Sequence, residues 1–252
     1  MNDAFSLQGR PVLVTGGTRG IGRAISLQLA RAGATVVANY ARNDAAAQGL
    51  VDEAAAAHLA LRVLRADLTL PKGLAAVSEH FAAEAAPLSI VHCAATGVHK
   101  PFDALTTRHF DWTMALNVRA FFELVHALLP KLGNGSAIVA VSSAGATRAV
   151  PAYATVGTSK GALESLARHL AVELAPRGIR VNILSPGSVQ TDAWDAFPDK
   201  DQRLADALRR APRGRLVGVD EIARAAQFLC SAGSSGLVGH TLVVDGGTRI
   251  LE

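Results

Sequence analysis

Seven short apolar runs, which alternate with longer stretches of good helix formers, constrain the fold of this chain more than any other feature. The runs are Pro11–Thr15, Thr35–Asn39, Arg62–Ala66, Leu88–Cys93, Ala137–Ser142, Arg180–Leu184 and Thr241–Val244. Several are continuously apolar, as in parallel strands covered on both faces. Stretches rich in Ala, Leu, Arg and Glu predict helices, among them Arg19–Ala32, Phe110–Leu129, Thr158–Ala175 and Asp220–Cys230. The alternation predicts an α/β fold, a doubly wound, Rossmann-like parallel sheet of about seven strands with helices on both faces.

Composition narrows the class of protein further. The 252 residues show no composition break, repeat or long linker, so we expect a single domain over 1–252. Half of the residues are hydrophobic and 18% are charged, which excludes a disordered chain. The net charge of +4 is too small to indicate nucleic acid as a partner. No cluster of His, Cys and carboxylates has metal-ligand spacing, so no metal is expected.

The same composition predicts a cytoplasmic protein. No apolar run approaches the ~18–20 residues of a membrane span, so no membrane association is expected. Met1–Phe5 lack the charged and apolar regions of a signal peptide. The chain has two cysteines, Cys93 and Cys230, which is too few for a disulfide framework and indicates a reducing compartment.

A glycine-rich turn follows the first predicted strand and reads Thr15-Gly16-Gly17-Thr18-Arg19-Gly20-Ile21-Gly22. Its G-x-x-x-G-x-G spacing allows a tight turn whose backbone approaches a pyrophosphate closely. The following helix then directs its first N–H groups and its positive dipole end at the phosphates. An ordinary strand–helix turn is the alternative. We predict that dinucleotide phosphates are bound by Gly16, Thr18, Arg19, Gly20, Ile21 and Gly22.

The end of the second predicted strand carries a basic residue where an NAD site usually places an acidic one. No acidic residue lies between Val36 and Asn43, whereas Arg42 lies there and Arg19 lies in the glycine turn. Two guanidinium groups can hold a 2′-phosphate by charge-assisted hydrogen bonds, which predicts NADPH. A solvated loop cation is the alternative role for Arg42. Asp67, after the third strand, is a candidate acceptor for the adenine amino group or a helix N-cap.

Motifs spread over nearly the whole chain resemble the short-chain dehydrogenase/reductase family. They are the glycine turn, Asp67, Asn117-Val118, Ser142-Ser143, Tyr153 with Lys160, Ser185-Pro186-Gly187 and Val244-Asp245-Gly246-Gly247. The resemblance implies a homotetramer, with one interface at the helical stretches 110–129 and 158–175 and another at the C-terminal strand.

One departure from the family pattern is informative, because the tyrosine lies seven residues before the lysine instead of four. The usual position is occupied by Val156, and the chain has only one other tyrosine, Tyr40, at the adenosine end. Seven residues are about two helical turns, so Tyr153 and Lys160 can share a helix face. A shift of three positions moves the tyrosine by about 4.5 Å. Such a shift suits a 2-enoyl thioester, in which hydride adds to C3 while negative charge collects on the C1 oxygen.

This spacing, with the segments 148–160 and 109–114, resembles the NADPH-using third type of enoyl-acyl-carrier-protein reductase. The resemblance implies that Tyr153 hydrogen-bonds the thioester oxygen and stabilises an enolate. It implies that Lys160 bonds the nicotinamide ribose and lowers the pKa of Tyr153. Ser143, or Ser142 beside it, would also hydrogen-bond the substrate oxygen. Asn117 would support a proton relay through water, or be a structural amide in a helix kink.

The resemblance also implies further cofactor contacts. The backbone of Val189 would hold the carboxamide, and Thr191 would reach the carboxamide or the pyrophosphate. Residues 92–95 replace the family's Asn-Asn-Ala-Gly, and His92 is interpreted as a core histidine. Besides the glycine turn, the predicted cofactor contacts are Tyr40, Arg42, Asp67, Ala94, Lys160, Pro186, Gly187, Val189 and Thr191.

A segment over about 188–217, with Trp194 and Phe197, is predicted to be a substrate lid. Its arginines would contact an acidic carrier protein or a phosphopantetheine arm, or would form a solvated face. We therefore expect NADPH-dependent reduction of the C2=C3 bond of an enoyl thioester, on acyl carrier protein or a similar carrier, in fatty acid synthesis or a specialised pathway. A carbonyl reductase and a non-catalytic NADPH-binding module are the alternatives.

Overall fold

The computed structural model describes residues 4–83, 87–191 and 199–250. Its seven strands are β1 Pro11–Thr15, β2 Thr35–Tyr40, β3 Leu61–Arg65, β4 Ser89–His92, β5 Ala137–Val141, β6 Arg180–Pro186 and β7 Thr241–Val244. They form one parallel sheet in the order β3-β2-β1-β4-β5-β6-β7. Each predicted strand is present, and its ends differ from the prediction by at most two residues.

Helices cover both faces of this sheet, which confirms the doubly wound architecture. They are α1 Gly20–Arg31, α2 Asp44–Ala56, α3 Pro71–Ala82, α4 Thr107–Met114, α5 Ala120–Leu128, α6 Ala154–Leu174, α7 Lys200–Arg209 and α8 Val219–Cys230. Residues of α1, α2 and α8 pack on one face, and residues of α3, α5 and α6 pack on the other. Alternate side chains of β1 point to opposite faces of the sheet. Val12 and Val14 pack in the core that contains α1 and α8, and Leu13 packs in the core that contains α3, α5 and α6.

Two helix predictions were wrong in detail. The predicted continuous helix Phe110–Leu129 is interrupted by a π-helical turn, Ala115–Arg119, between α4 and α5. The predicted helix Thr158–Ala175 begins four residues earlier, at Ala154, and Tyr153, which was expected to share a helix face with Lys160, is its N-cap. The first turn of α6 contains threonine, valine and glycine, which are weak helix formers, so helix propensity alone does not predict this turn.

The strand order reverses between β1 and β4, and their carboxyl ends flank the crevice where such sheets bind ligands. The buried hydroxyl of Thr15 joins the two strand ends. Its Oγ1 lies 3.0 Å from Nδ1 of His92 and accepts hydrogen bonds from the backbone N–H groups of Cys93 and Ala94. The loop after β4 is thereby held beside the glycine turn.

The predicted lid is described only in part. Val189 pairs with Val217 in an isolated parallel bridge, and α7 lies between them in the chain. Trp194 and Phe197 lie outside the described residues, so the lid stays a prediction.

None of the described helices has the length and apolar character that a membrane crossing requires. Within residues 4–83, 87–191 and 199–250, no group of three His, Cys, Asp or Glu side chains is arranged to hold a metal ion.

Candidate active site

The glycine turn leaves no space for side chains at several positions. Gly16 and Gly20 have φ of +62° and +49°, which L side chains rarely adopt. A Cβ on Gly22 would lie 2.1 Å from the carbonyl oxygen of Gly16. A Cβ on Gly17 would lie 2.8 Å from Oγ of Ser26. Sequence analysis did not predict a role for Gly17, because the G-x-x-x-G-x-G spacing does not include it. The adjacent glycine pair Gly16-Gly17 could have indicated that this position also has no space for a side chain.

The N-terminus of α1 is arranged to receive an anion. Arg19 is the N-cap, its side chain makes no capping hydrogen bond, and the first turn of α1 has no acidic residue. Thr18 is buried, and the side chain of Thr191 lies 3.7 Å from where a Cβ on Gly20 would be. The unpaired first N–H groups of the helix, its positive dipole end and the close backbone fit a pyrophosphate.

We predict that Gly22→Ala weakens dinucleotide binding at least about 10-fold, because the added Cβ forces α1 away from the turn that would hold the phosphates. The measurement is a fluorescence titration of the purified protein with NADPH. Gly49→Ala is the matched control. Gly49 lies in α2, and no described atom comes within 4 Å of its Cβ position. This control should bind NADPH normally and raise the free energy of unfolding by about 0.5–1 kcal/mol. Equal binding by both variants would contradict the prediction.

The end of β2 lies beside the glycine turn, because the N–H of Gly17 donates to the carbonyl of Asn39 at 2.9 Å. Arg19 and Arg42 follow these two strand ends and are both exposed. The nearest acidic side chain along the chain, Asp44, is engaged elsewhere. It accepts from the Tyr40 hydroxyl at 2.9 Å and pairs with Arg65 at 3.2 Å.

Asp67 follows β3 and is half-buried. Its Oδ1 accepts from the N–H and hydroxyl of Thr69, at 3.0 and 2.6 Å. The hydrogen bond from the hydroxyl is the largest contribution that lowers the pKa of Asp67, and Arg42 adds to it. Asp67 is not the N-cap of α3, since Leu70 holds that position. The alternative role that the sequence left open is therefore wrong, and the contact with the adenine amino group stays a prediction.

Tyr153 lies in a slot lined by glycines. A Cβ on Gly145 would lie 2.5 Å from Cε1 of Tyr153, and one on Gly157 would lie 3.5 Å from Cδ1. Ala152, directly before the tyrosine, has φ of +57°. This left-handed conformation costs about 1–2 kcal/mol for an L residue, so local strain accompanies the placement of Tyr153 at the start of α6.

The structure separates the two candidate serines. The Tyr153 hydroxyl donates to Oγ of Ser143 at 3.4 Å, and the same oxygen accepts from the N–H of Gly145 at 3.2 Å. Ser142 is buried and donates to Oε1 of Glu164 at 2.6 Å. Ser143 has accepted two hydrogen bonds and keeps its own O–H to donate to a substrate oxygen. Ser143 is therefore the serine that the geometry places beside the tyrosine.

Burial, not Lys160, dominates the pKa of Tyr153. Burial raises the pKa of Tyr153, and the hydrogen bond with Ser143 offsets only part of this effect. The net direction is upward, and the predicted lowering of this pKa by Lys160 stays a prediction. Nζ of Lys160 donates instead to the carbonyl of Val141 at 2.7 Å. Burial lowers the pKa of Lys160 to about 8, while Cys93 and Glu164 act in the opposite direction.

Asn117 occupies the π-helical turn, and its amide is engaged by the protein. Oδ1 accepts from the N–H of Thr96 at 2.8 Å, and Nδ2 donates to the Thr96 carbonyl and to Oγ of Ser159, both at 2.9 Å. The side chain thus joins the loop after β4 to α6. This favours the structural interpretation of Asn117, and any part in a proton relay stays a prediction.

The residues predicted near the nicotinamide lie where β6 ends. The N–H of Gly187, next to Pro186, donates to the carbonyl of Val244 at 2.9 Å. A Cβ on Gly187 would lie 2.6 Å from Cβ of Asp245, so only glycine fits. On the opposite side of the crevice, Ala94 contacts the turn, with its Cα 2.9 Å from the Cβ position of Gly16.

Two other sequence interpretations are resolved by contacts. His92 is buried, and burial lowers its pKa to about 3, so the ring is neutral at pH 7 and is not a general base in solvent reach. Four arginines of the predicted lid segment form ion pairs within the chain. The pairs are Arg203–Asp199, Arg209–Asp206, Arg213–Glu221 and Arg215–Glu221. Because these arginines are paired with acidic side chains of the same chain, the pairs favour a solvated face over a binding surface for an acidic carrier protein.

Several known proteins are similar to this chain in sequence and in fold. Residues 16–249 match a family model described as Enoyl-(Acyl carrier protein) reductase. The chain is 38% identical over 242 residues to a 1-cyclohexenylcarbonyl-CoA reductase of Streptomyces collinus, covering 95% of this chain and 86% of that protein. It is 33% identical over 259 residues to the hydroxynaphthalene reductase-like protein Arp2 of Metarhizium guizhouense, covering 96% of each. A gluconate 5-dehydrogenase from Burkholderia cenocepacia, solved with NADP and tartrate, superposes with a TM-score of 0.90 and 31% identity, covering 99% of both chains.

Proposed function

Because the chain belongs to the short-chain dehydrogenase/reductase family of oxidoreductases, we propose that it reduces the C2=C3 bond of an enoyl thioester with NADPH. The observation that carries the proposal is the position of Tyr153. Its hydroxyl lies beside Ser143 at the N-terminus of α6. The position that usually holds the family's tyrosine, four residues before the lysine, is occupied by Val156. The similarity to a reductase of a CoA-linked enoyl group supports the same reaction class.

The site residues act on the substrate oxygen. Hydride addition at C3 moves the π electrons toward the thioester carbonyl, whose oxygen gains negative charge. The Tyr153 hydroxyl would donate to that oxygen in place of Ser143, and the O–H of Ser143 would supply a second hydrogen bond. Donors fixed where charge develops stabilise the enolate, and burial strengthens both interactions. A proton added at C2 completes the saturated thioester.

Lys160 would serve the cofactor. Bound NADPH supplies the hydride that adds to C3. The buried ammonium group of Lys160 would donate to the nicotinamide ribose, exchanging this contact for the Val141 carbonyl. Gly187 and Val189 would cover the nicotinamide, and the turn that begins at Gly16 would hold the pyrophosphate.

The decisive experiment follows NADPH oxidation at 340 nm with crotonyl and acetoacetyl thioesters in parallel. Each acyl group is offered on coenzyme A and on acyl carrier protein, which also identifies the carrier. Turnover of the crotonyl thioester alone is the expected result. Turnover of the acetoacetyl thioester alone would overturn the proposal and indicate a carbonyl reductase. Binding of NADPH with neither activity, across a panel of enoyl and ketone substrates, would indicate a non-catalytic module.

We predict that Arg42→Ala lowers the preference for NADPH over NADH by about 10- to 100-fold, as expected for loss of a hydrogen bond to a charged group. The exposed guanidinium follows β2 and would contact the 2′-phosphate that only NADPH carries. The measurement is the ratio of kcat/KM for the two cofactors. Arg65→Ala is the control, because Arg65 is also exposed but pairs with Asp44. A preference unchanged in Arg42→Ala would exclude this contact.

We also propose that the chain forms a homotetramer. Large apolar side chains are exposed along α4, α5 and α6, namely Phe110, Trp112, Phe122 and Val172. Such a surface is typical of an interface between copies. Light scattering should give four chain masses, and a single chain mass would contradict the proposal.

A further inference from the structure

We propose that His99 is a positioning residue that holds the ring of Tyr153 in its reactive orientation. His99 lies in the loop after β4 and carries no role in the function proposed above. The inference deepens that function and rests on it, since it assigns to Tyr153 the donor role at the thioester oxygen.

The backbone alone does not fix the orientation of Tyr153. A tyrosine inside a helix is restrained by the preceding turn, whereas Tyr153 is the N-cap of α6 and has φ of −126° and ψ of 12°. Its ring needs support from tertiary contacts. The rings of His99 and Tyr153 are stacked, with centroids 5.4 Å apart and planes inclined by 27°. A Cβ on Gly145 would lie 2.5 Å from Cε1 of the same ring and one on Gly157 would lie 3.5 Å from Cδ1, so the backbone at both glycines passes close to the ring.

The charge state of His99 suits this stacking role. Burial lowers the pKa of His99, and the positive charge of Arg203 lowers it further. The imidazole is therefore neutral at pH 7, and a neutral ring can stack on a phenol without the cost of burying a charge. His99 also helps to exclude water from Tyr153, whose pKa is raised mainly by burial.

Arg203 connects this pair of rings to α7. Its guanidinium pairs with Asp199 at 2.5 Å and donates to the carbonyl of Pro151 at 3.2 Å. Pro151 lies two residues before Tyr153. The histidine and the start of α7 therefore restrain the tyrosine from two different parts of the chain.

A phenolate titration tests the contact independently of activity. The chain contains two tyrosines, so in a Tyr40→Phe background the absorbance at 295 nm reports Tyr153 alone. We expect His99→Ala to shift the titration midpoint down toward the ordinary value of about 10, because the phenol becomes solvated. His99→Phe should keep the raised midpoint, since phenylalanine preserves the stacked ring. His80→Ala, which removes another histidine–aromatic contact, is the control and should leave the midpoint unchanged.

Kinetics then separate positioning from a general structural role. With the crotonyl thioester, His99→Ala should lower kcat by about 10- to 100-fold, as expected for a misplaced catalytic group, with the KM for NADPH unchanged. His99→Phe should restore most of kcat. Circular dichroism across the same pH range and the melting temperature show whether each variant is folded.

An unchanged midpoint in His99→Ala would overturn the proposal. So would failure of His99→Phe to retain the midpoint while it remains folded. If no enoyl thioester is turned over, the titration still decides the role of His99, and the failure then belongs to the proposed function.

Discussion

Tyr153→Phe is expected to lower kcat for the crotonyl thioester by about 100- to 1,000-fold, the usual effect of removing one donor to a developing oxyanion. The substitution removes a single oxygen and keeps the ring in its slot beside Gly145. The KM for NADPH should stay close to that of the parent, because the predicted phosphate contacts lie at the glycine turn. Steady-state kinetics at saturating NADPH measure the effect.

Two further variants test the position of the hydroxyl. Tyr40→Phe removes the other phenol, which hydrogen-bonds Asp44. Because Tyr40 is a predicted cofactor contact, any effect should fall on the KM for NADPH, and kcat at saturating NADPH should stay unchanged. Val156→Tyr, added to Tyr153→Phe, should not restore activity. Val156 is buried, and its Cγ2 lies 2.1 Å from the position of a Cβ on Gly97, so a larger ring has no space there. Retention of more than a tenth of kcat in Tyr153→Phe would exclude the proposed donor role.

Lys160→Met is expected to stabilise the protein free of cofactor and to lower kcat/KM at least about 100-fold. Burial lowers the pKa of Lys160 to about 8, below its ordinary value in the unfolded chain. The unfolded chain therefore binds more protons between pH 8 and about 10.4, and the free energy of unfolding rises with pH over that window. Below pH 8 the buried charge is retained and its cost is fully present. Methionine removes this cost, which is worth about 1–3 kcal/mol at pH 7.

Urea denaturation at pH 7 and pH 9.5 measures this effect. The parent should gain stability between the two pH values relative to Lys160→Met, and the exposed Lys100→Met should behave like the parent. The partners of Lys160 limit the gain. The Val141 carbonyl loses its donor, whereas Glu164 keeps its bonds to Ser142 and Arg168. A Lys160→Met protein that is less stable than the parent at pH 7 would contradict the prediction.

The inner strands of the sheet were predictable because they are buried on both faces, which requires apolar runs such as Ala137–Val141. The edge strands β3 and β7 are only partly buried. The tight glycine turn was predictable for a similar reason. At Gly16 and Gly22 the backbone conformation or a neighbouring carbonyl leaves no space for a side chain, and this requirement is visible in the sequence.

The environment of the tyrosine was not predictable from local sequence. The start of α6 depends on tertiary contacts that override weak helix propensity, so the helix was predicted to begin four residues too late and Tyr153 was not recognised as its N-cap. His99 reaches Tyr153 across 54 residues of chain, and no periodicity or spacing indicates such a contact. The hydrogen bond from Nζ of Lys160 to the Val141 carbonyl was not predictable either, because it depends on the packing of α6 against β5.

The hydrogen bond between Thr15 and His92 has a consequence for folding. It closes a loop across 77 residues, and the cleft beside the glycine turn is complete only once β4 has joined β1. Such distant pairings form slowly, because the entropy of loop closure precedes the contacts that compensate for it. A dinucleotide binds only the finished cleft and would add about 2.7 kcal/mol of stability at 100 times its Kd. The bound dinucleotide would thereby favour the state in which β1 and β4 are paired.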